Sequence, residues 1–229
     1  MEPKIRKEIL EVCKRLYRNN FVANHDGNVT ARLSSRRILA TPTAQSKWDI
    51  SDEMLIVVDN EGKVVAGRFK PFSELKFHLE VYRQRPEVMA VVHAHPPYAM
   101  ALSCSDKSLS IKPFPEAIVS LGTEVPLMPF AIPGSKESAE VIIEGLQRAD
   151  ALLLSHNGVL AVGASPLEAY YRLELVEHLA RISSIAGKEL LAIPDLALEQ
   201  LLQKRAQLGS MVRMPFQKGE RPVKLFEKY

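Results

Sequence analysis

Apolar positions recur at helical spacing over 4–19 (Ile5, Ile9, Val12, Leu16), with Asn19 and Asn20 behind them, which predicts a first helix and its stop. After an Asp-Gly turn at Asp26-Gly27 the period changes to two. Alternating residues on either side of Ser34-Ser35 predict one hairpin, and MLIVVD with KVVAG around Asn60-Glu61-Gly62 predict a second. Helical spacing returns over 73–84, 135–148, 165–186 and 195–208, while short apolar runs at 125–129, 151–154 and 159–162 read as strands. The helix from 165 has Ser165, Pro166 and Glu168 in cap, first-turn and capping-box positions. No internal repeat is present. Because hairpins interleave with helices, the expected fold is α/β, a single domain with a central, mainly antiparallel sheet flanked by helices. Its bounds are placed at 1–208, followed by a tail over 209–229.

The chain is 46% hydrophobic over 229 residues, enough for a full core. No apolar run approaches the ~20 residues that cross a bilayer, and MEPKIRKEILEVCKRL lacks the apolar block of a signal peptide, so the expectation is a cytoplasmic protein without membrane contact. Cys13 and Cys104 have no metal-type spacing and are assigned no chemistry. A net charge of +3 conceals a basic tail: from Lys204 onward there are seven Lys and Arg against Glu220 and Glu227. No nucleic-acid module accompanies it, so nucleic acid is not an expected partner.

The chemistry gathers around VVHAHPPYA, where an apolar run from Val88 to Val92 leads into two histidines and is stopped by two prolines. On a strand, residues two apart face the same way, so His93 and His95 project together as a bidentate metal site or, equally, as a packed pair. In the preceding helix Glu74 and His78 fall within the arc of Phe77, Val81, Tyr82, Leu75 and Leu79, whereas Lys76, Arg83 and Glu80 lie opposite. A carboxylate in an apolar stripe needs a partner, whether a cation, a catalytic cleft or a structural ion pair. A third imidazole, His156, follows the apolar run of LLLSHNGVL, where Gly158 permits a close turn. Together Glu74, His93, His95 and His156 form a set suited to Zn²⁺ with an exchangeable position.

In order along the chain, GNVTARL from Gly27, ATPTA from Ala40, KPFSELKFH from Lys70, VVHAHP from Val91, PEAIVSLGTEVPLMPFAIPGSKESAE from Pro115 and LLLSHNGVLAVG from Leu152 resemble the landmarks of the class II aldolase/adducin family. The resemblance implies a zinc enzyme, one metal per chain, working as a homotetramer with sites between subunits. It implies His93, His95 and His156 as metal ligands and Glu74 as the acid/base. Asn28, Thr43 and Ser73 are implied as the grip on a substrate phosphate. The implied reaction is aldol cleavage of a small ketose phosphate of the L-fuculose 1-phosphate kind, through a metal-stabilised enediolate, to dihydroxyacetone phosphate and a short aldehyde. A dehydratase or decarboxylase on the same site is the alternative, and a metal-free adducin-like assembly protein is a third reading.

Three positions depart from the family pattern. Phe72-Ser73-Glu74 stands where Ser-Ser-Glu is usual, and Thr43-Ala44 where Thr-Gly is usual, so both changes strike the phosphate pocket. Asn157 separates His156 from Gly158, whereas the family reads His-Gly. In a regular strand that offset turns His156 to the other face; a bulge restores it, or Asn157 takes its place. The family's tyrosine after the H-x-H has no clear counterpart, and Glu116, near that place, reads either as a second acid or as a surface carboxylate.

Overall fold

The computed structural model describes residues 2–105, 109–187 and 190–208. The tail expected over 209–229 lies outside them. Eight strands form one sheet in the order β4-β3-β2-β1-β5-β8-β7-β6: β1 Asn28–Ser34, β2 Arg37–Ala40, β3 Ile56–Val58, β4 Val64–Ala66, β5 Ala90–Ala94, β6 Leu127–Met128, β7 Ala151–Leu154 and β8 Val159–Gly163. Each neighbouring pair is antiparallel except β6 with β7. The α/β architecture with a mainly antiparallel central sheet is therefore present, and both hairpins sit where period two places them.

Strands β5, β7 and β8 are buried at every position because both faces are covered. Ala90, Val92 and Ala94 of β5, with Val159 and Ala161 of β8, join a core under the long helix α6 (Pro166–Ala186) and α1 (Glu2–Arg18). Val91, Leu160 and Val162 join a second core under α2 (Leu75–Gln84) and α5 (Lys136–Leu146). The alternation places His93 on the α2 side, edge-on to Phe77 with ring centroids 6.1 Å apart. The apolar arc of α2 is buried as its spacing predicts: Leu75, Phe77, His78, Leu79, Val81 and Tyr82 are all inside. Ser165 accepts from Glu168 N–H at the start of α6, the expected cap, while the Glu168 carboxylate accepts from Ala164 N–H, one residue before the position a capping box uses.

Two short helices lie outside the predicted ones, α3 (Pro97–Ser103) and α4 (Pro115–Leu121). The prolines that stop β5 also open α3, with Pro97 in its first turn, where a missing N–H costs nothing. Its free N–H groups at Tyr98 and Ala99 are taken by the Glu177 carboxylate of α6, a cap supplied from 78 and 79 residues away. The strand predicted over 125–129 shrinks to Leu127–Met128, and α7 (Asp195–Gln207) packs on α4. Among the described residues no helix is long and apolar enough to cross a membrane.

Candidate metal centre and active site

Register brings the site together at one end of the sheet. Asn28, first in β1, pairs with His93 near the end of β5, and Ala94 pairs with Val159, first in β8. Gly27 makes this approach possible: a Cβ there would stand 2.9 Å from the His93 carbonyl oxygen and 2.7 Å from Val22 Cγ1. Glu74, the residue before α2, reaches the same place. Its Oε2 accepts from Asn28 Nδ2 at 2.9 Å and its Oε1 from Asn157 Nδ2 at 3.1 Å.

The two histidines are oriented from behind. His93 is buried and its Nδ1 lies 2.9 Å from the Val159 carbonyl oxygen. A carbonyl only accepts, so Nδ1 carries a proton, which leaves Nε2 as the ring nitrogen that faces the site. His95, just past the strand, donates its backbone N–H to the Phe21 carbonyl, and its Nδ1 faces Asp26 Oδ2 at 3.6 Å. Its Nε2 stands 3.3 Å from His93 Nε2. Two nitrogens bound to one tetrahedral zinc at ~2.0–2.1 Å are about 3.3–3.4 Å apart, so this spacing suits a shared divalent cation. The Glu74 carboxylate stands slightly back, with Oε1 3.7 Å from His93 Nε2. Among the described residues no group of three or more His, Cys, Asp or Glu side chains is placed to hold a metal ion, and the Glu74 carboxylate is held by two amides. Asn28 Oδ1 is buried and has no hydrogen-bond partner among the described residues, an acceptor left open beside the carboxylate.

Burial pushes the Glu74 carboxyl up, but His93, the amides of Asn157 and Asn28, and His95 outweigh it and hold the group below the usual carboxylate range. His95 is held below the usual imidazole range, by burial first and by His93 second. Behind the site His78 is fully buried; its Nδ1 lies 2.8 Å from Thr30 Oγ1, which in turn lies 2.8 Å from the Tyr82 hydroxyl. Burial, with His93 as a lesser cause, holds His78 well below its ordinary value of 6.5.

The sign of the resulting pH dependence is definite. Above 6.5 His78 is neutral folded and unfolded; below it only the unfolded chain takes the proton, so stability falls as pH falls. The contribution is up to about 1.4 kcal/mol per pH unit. His78→Gln is expected to be less stable at neutral pH but to show a flatter decline between pH 6.5 and 5 in urea unfolding. An unchanged slope would mean that the folded protein protonates His78.

Of the residues implied as phosphate contacts, Asn28 lies on Glu74 itself. Thr43 donates its N–H to the Lys70 carbonyl, and a bridge between Pro42 and Pro71 brings its loop beside the exposed Ser73. Ala44 has φ of +55°, so the left-handed backbone that suits glycine is kept here by alanine. Phe72 packs against His78, ring centroids 5.2 Å apart, and so belongs to the core. Glu116 is an exposed carboxylate in the first turn of α4. Lys47 is buried and donates to the His25 and Gln45 carbonyls, pinning the loops next to Asp26.

His156 is placed outside the cluster. It sits at φ +56° in the turn between β7 and β8, closed by Asn157 N–H to the Leu154 carbonyl, and its ring is exposed and edge-on to Phe130 at 5.9 Å. Gly158, at φ +68°, lies so close to Ala94 and His95 that any Cβ would collide with them. That contact presents Asn157 to the site. The offset read in the sequence is thus resolved by a turn, with neither a regular strand nor a bulge. Asn157, the alternative to His156 at this position in the sequence, is the one of the two in contact with Glu74.

A family model described as the class II aldolase and adducin N-terminal domain matches residues 7–184. The L-fuculose phosphate aldolase of Methanococcus vannielii is 35% identical over 179 residues, covering 78% of this chain and 95% of that protein. The 3-oxo-tetronate 4-phosphate decarboxylase of Haemophilus influenzae is 32% identical over 200 residues, covering 85% and 95%. Among solved structures, an L-fuculose 1-phosphate aldolase superposes with a TM-score of 0.80 at 28% identity, covering 88% of this chain and 95% of that one.

Proposed function

The chain belongs to the class II aldolase and adducin family, and on that premise we propose that it is a metal-dependent lyase breaking a carbon–carbon bond in a small sugar phosphate. The observation that carries this reading is the convergence of the His93 and His95 Nε2 atoms beside the Glu74 carboxylate. A divalent cation bound there, zinc in the family's usual form, supplies Lewis-acid polarisation of the substrate's carbonyl and neighbouring hydroxyl oxygens. Glu74 carries the proton at the carbon next to that carbonyl, and the amides of Asn28 and Asn157 hold its carboxylate in place. Thr43 and Ser73 flank the place for the phosphate. The setting the family implies is a cytoplasmic homotetramer.

Aldol cleavage of a ketose phosphate of the L-fuculose 1-phosphate kind is the first reading. The match to the Haemophilus decarboxylase favours a second, since a 3-oxo acid losing carbon dioxide leaves the same type of electron-rich, three-carbon phosphate. The two differ in proton balance. Aldol cleavage moves one proton from a hydroxyl to carbon with no net uptake, whereas decarboxylation takes one from solvent and releases carbon dioxide.

Both readings end in dihydroxyacetone phosphate, which a coupled reductase measures. L-Fuculose 1-phosphate and freshly generated 3-oxo-tetronate 4-phosphate should be offered to the metal-loaded protein, with carbon dioxide release recorded in parallel. Dihydroxyacetone phosphate without carbon dioxide supports the aldolase; the two together support the decarboxylase. No product from either, with any divalent metal, overturns both readings and leaves the dehydratase and the adducin-like assembly protein.

A further inference from the structure

We infer that Asn157, through its side-chain carbonyl, takes the third protein place on the cation, that His156 takes none, and that the site consequently accepts a harder divalent ion such as Mn²⁺ more readily than a three-imidazole site would. The inference rests on the metal-dependent reading above and goes beyond it by assigning the ligand and the metal preference.

Three observations meet at this point. The left-handed turn at His156 directs that ring to Phe130 and solvent, away from the His93–His95 pair. Gly158 is seated against His95 too tightly for any other residue, so the chain cannot slide by one position to bring His156 inward. Asn157 already donates its Nδ2 to Glu74 Oε1 at 3.1 Å, and the carbonyl oxygen of the same amide is a second end that can face the cation while the first holds the carboxylate. The groups around the two imidazole nitrogens are then oxygens: the Glu74 carboxylate, the Asn157 carbonyl and the unpartnered Asn28 Oδ1. Replacing an imidazole by an amide oxygen takes more from zinc than from manganese, because carboxylate and carbonyl oxygens suit the harder ion.

The test uses the full chain stripped with a chelator and reloaded. Zinc affinity is measured by competition with a chromophoric chelator and manganese affinity by the loss of the free Mn²⁺ electron paramagnetic resonance signal. Asn157→His is expected to tighten zinc by about tenfold or more while changing manganese far less, so the ratio of the two affinities moves toward zinc. Asn157→Ala, which needs no new side chain to be accommodated, is expected to weaken both ions. His156→Ala is expected to leave both unchanged. Metal lost with His156→Ala and kept with Asn157→Ala overturns the assignment while leaving the metal-dependent lyase intact. Failure of the unaltered protein to bind either ion overturns both.

Discussion

Glu74→Gln is expected to lower turnover by roughly 10²- to 10⁴-fold while the protein stays folded and still binds its cation through His93 and His95. The reason lies in what surrounds the carboxylate. Two amide N–H₂ groups point at it, from Asn28 and from Asn157, and with the two imidazoles they hold it ionised at neutral pH despite its burial. Glutamine keeps the shape but cannot accept or return a proton, and it faces the amides with a donor of its own. Asn157 can answer by turning its amide round, and Asn28 by presenting the buried Oδ1 that has no partner among the described residues. The fold therefore tolerates the change and the proton transfer does not. Steady-state turnover on whichever substrate proves active, with melting temperature and metal content measured alongside, checks this. A loss below tenfold with metal retained would remove Glu74 from the proton-carrying role.

Asp150→Asn is expected to cost about 3–5 kcal/mol of stability, the usual range when one member of a buried ionic group is removed. For a chain of this size that lowers the melting temperature by on the order of 6–20 °C. Asp150 precedes β7 and is 2% exposed. Its Oδ1 lies 2.8 Å from Arg85 Nη2 in an ion pair, and its Oδ2 lies 3.2 Å from Arg205 Nη2 and 3.6 Å from Arg172 Nη2. One carboxylate thus ties the end of α2, the body of α6 and α7 to the sheet. The guanidinium groups have further partners: Glu87 for Arg85, Glu168 for Arg172 and the Val119 carbonyl for Arg205. These cannot compensate the central charge, because Glu87 and Glu168 are partly in water and each already serves its own arginine. Lys136→Ala breaks the exposed pair with Glu140, 3.5 Å apart, and as a control should change stability by less than about 0.5 kcal/mol. Should Asp150→Asn fall in that same range, the arginine cluster would not be what secures α7.

Much of this protein is legible in the linear chain, for local reasons. Period two on either side of Ser34-Ser35 and of Asn60-Glu61-Gly62 describes hairpins whose pairing is decided by neighbouring residues. The arc of α2 places His78 on the buried side because helical geometry leaves no choice, and Glu74 stands at the cap of the same helix. His93 and His95 share a face because strand geometry leaves none either. What the chain could not show by itself depends on groups distant in sequence. Helix α3 forms because Glu177 of α6 takes up its first N–H groups, and Asp150 collects arginines from positions 85, 172 and 205. Which side chain of the β7–β8 turn joins Glu74 also depends on groups distant in sequence. Strand periodicity predicts a face for His156 only while the strand continues, and β7 ends at Leu154. Beyond it, the left-handed backbone at His156 and the pressure of Gly158 on His95 decide which side chain points inward. Local spacing determined the longer helices, the hairpins and the histidine pair, because each depends on dihedral preferences a few residues long. Tertiary packing alone decided that Asn157 meets Glu74, because that contact spans 83 positions and depends on how closely two backbones approach.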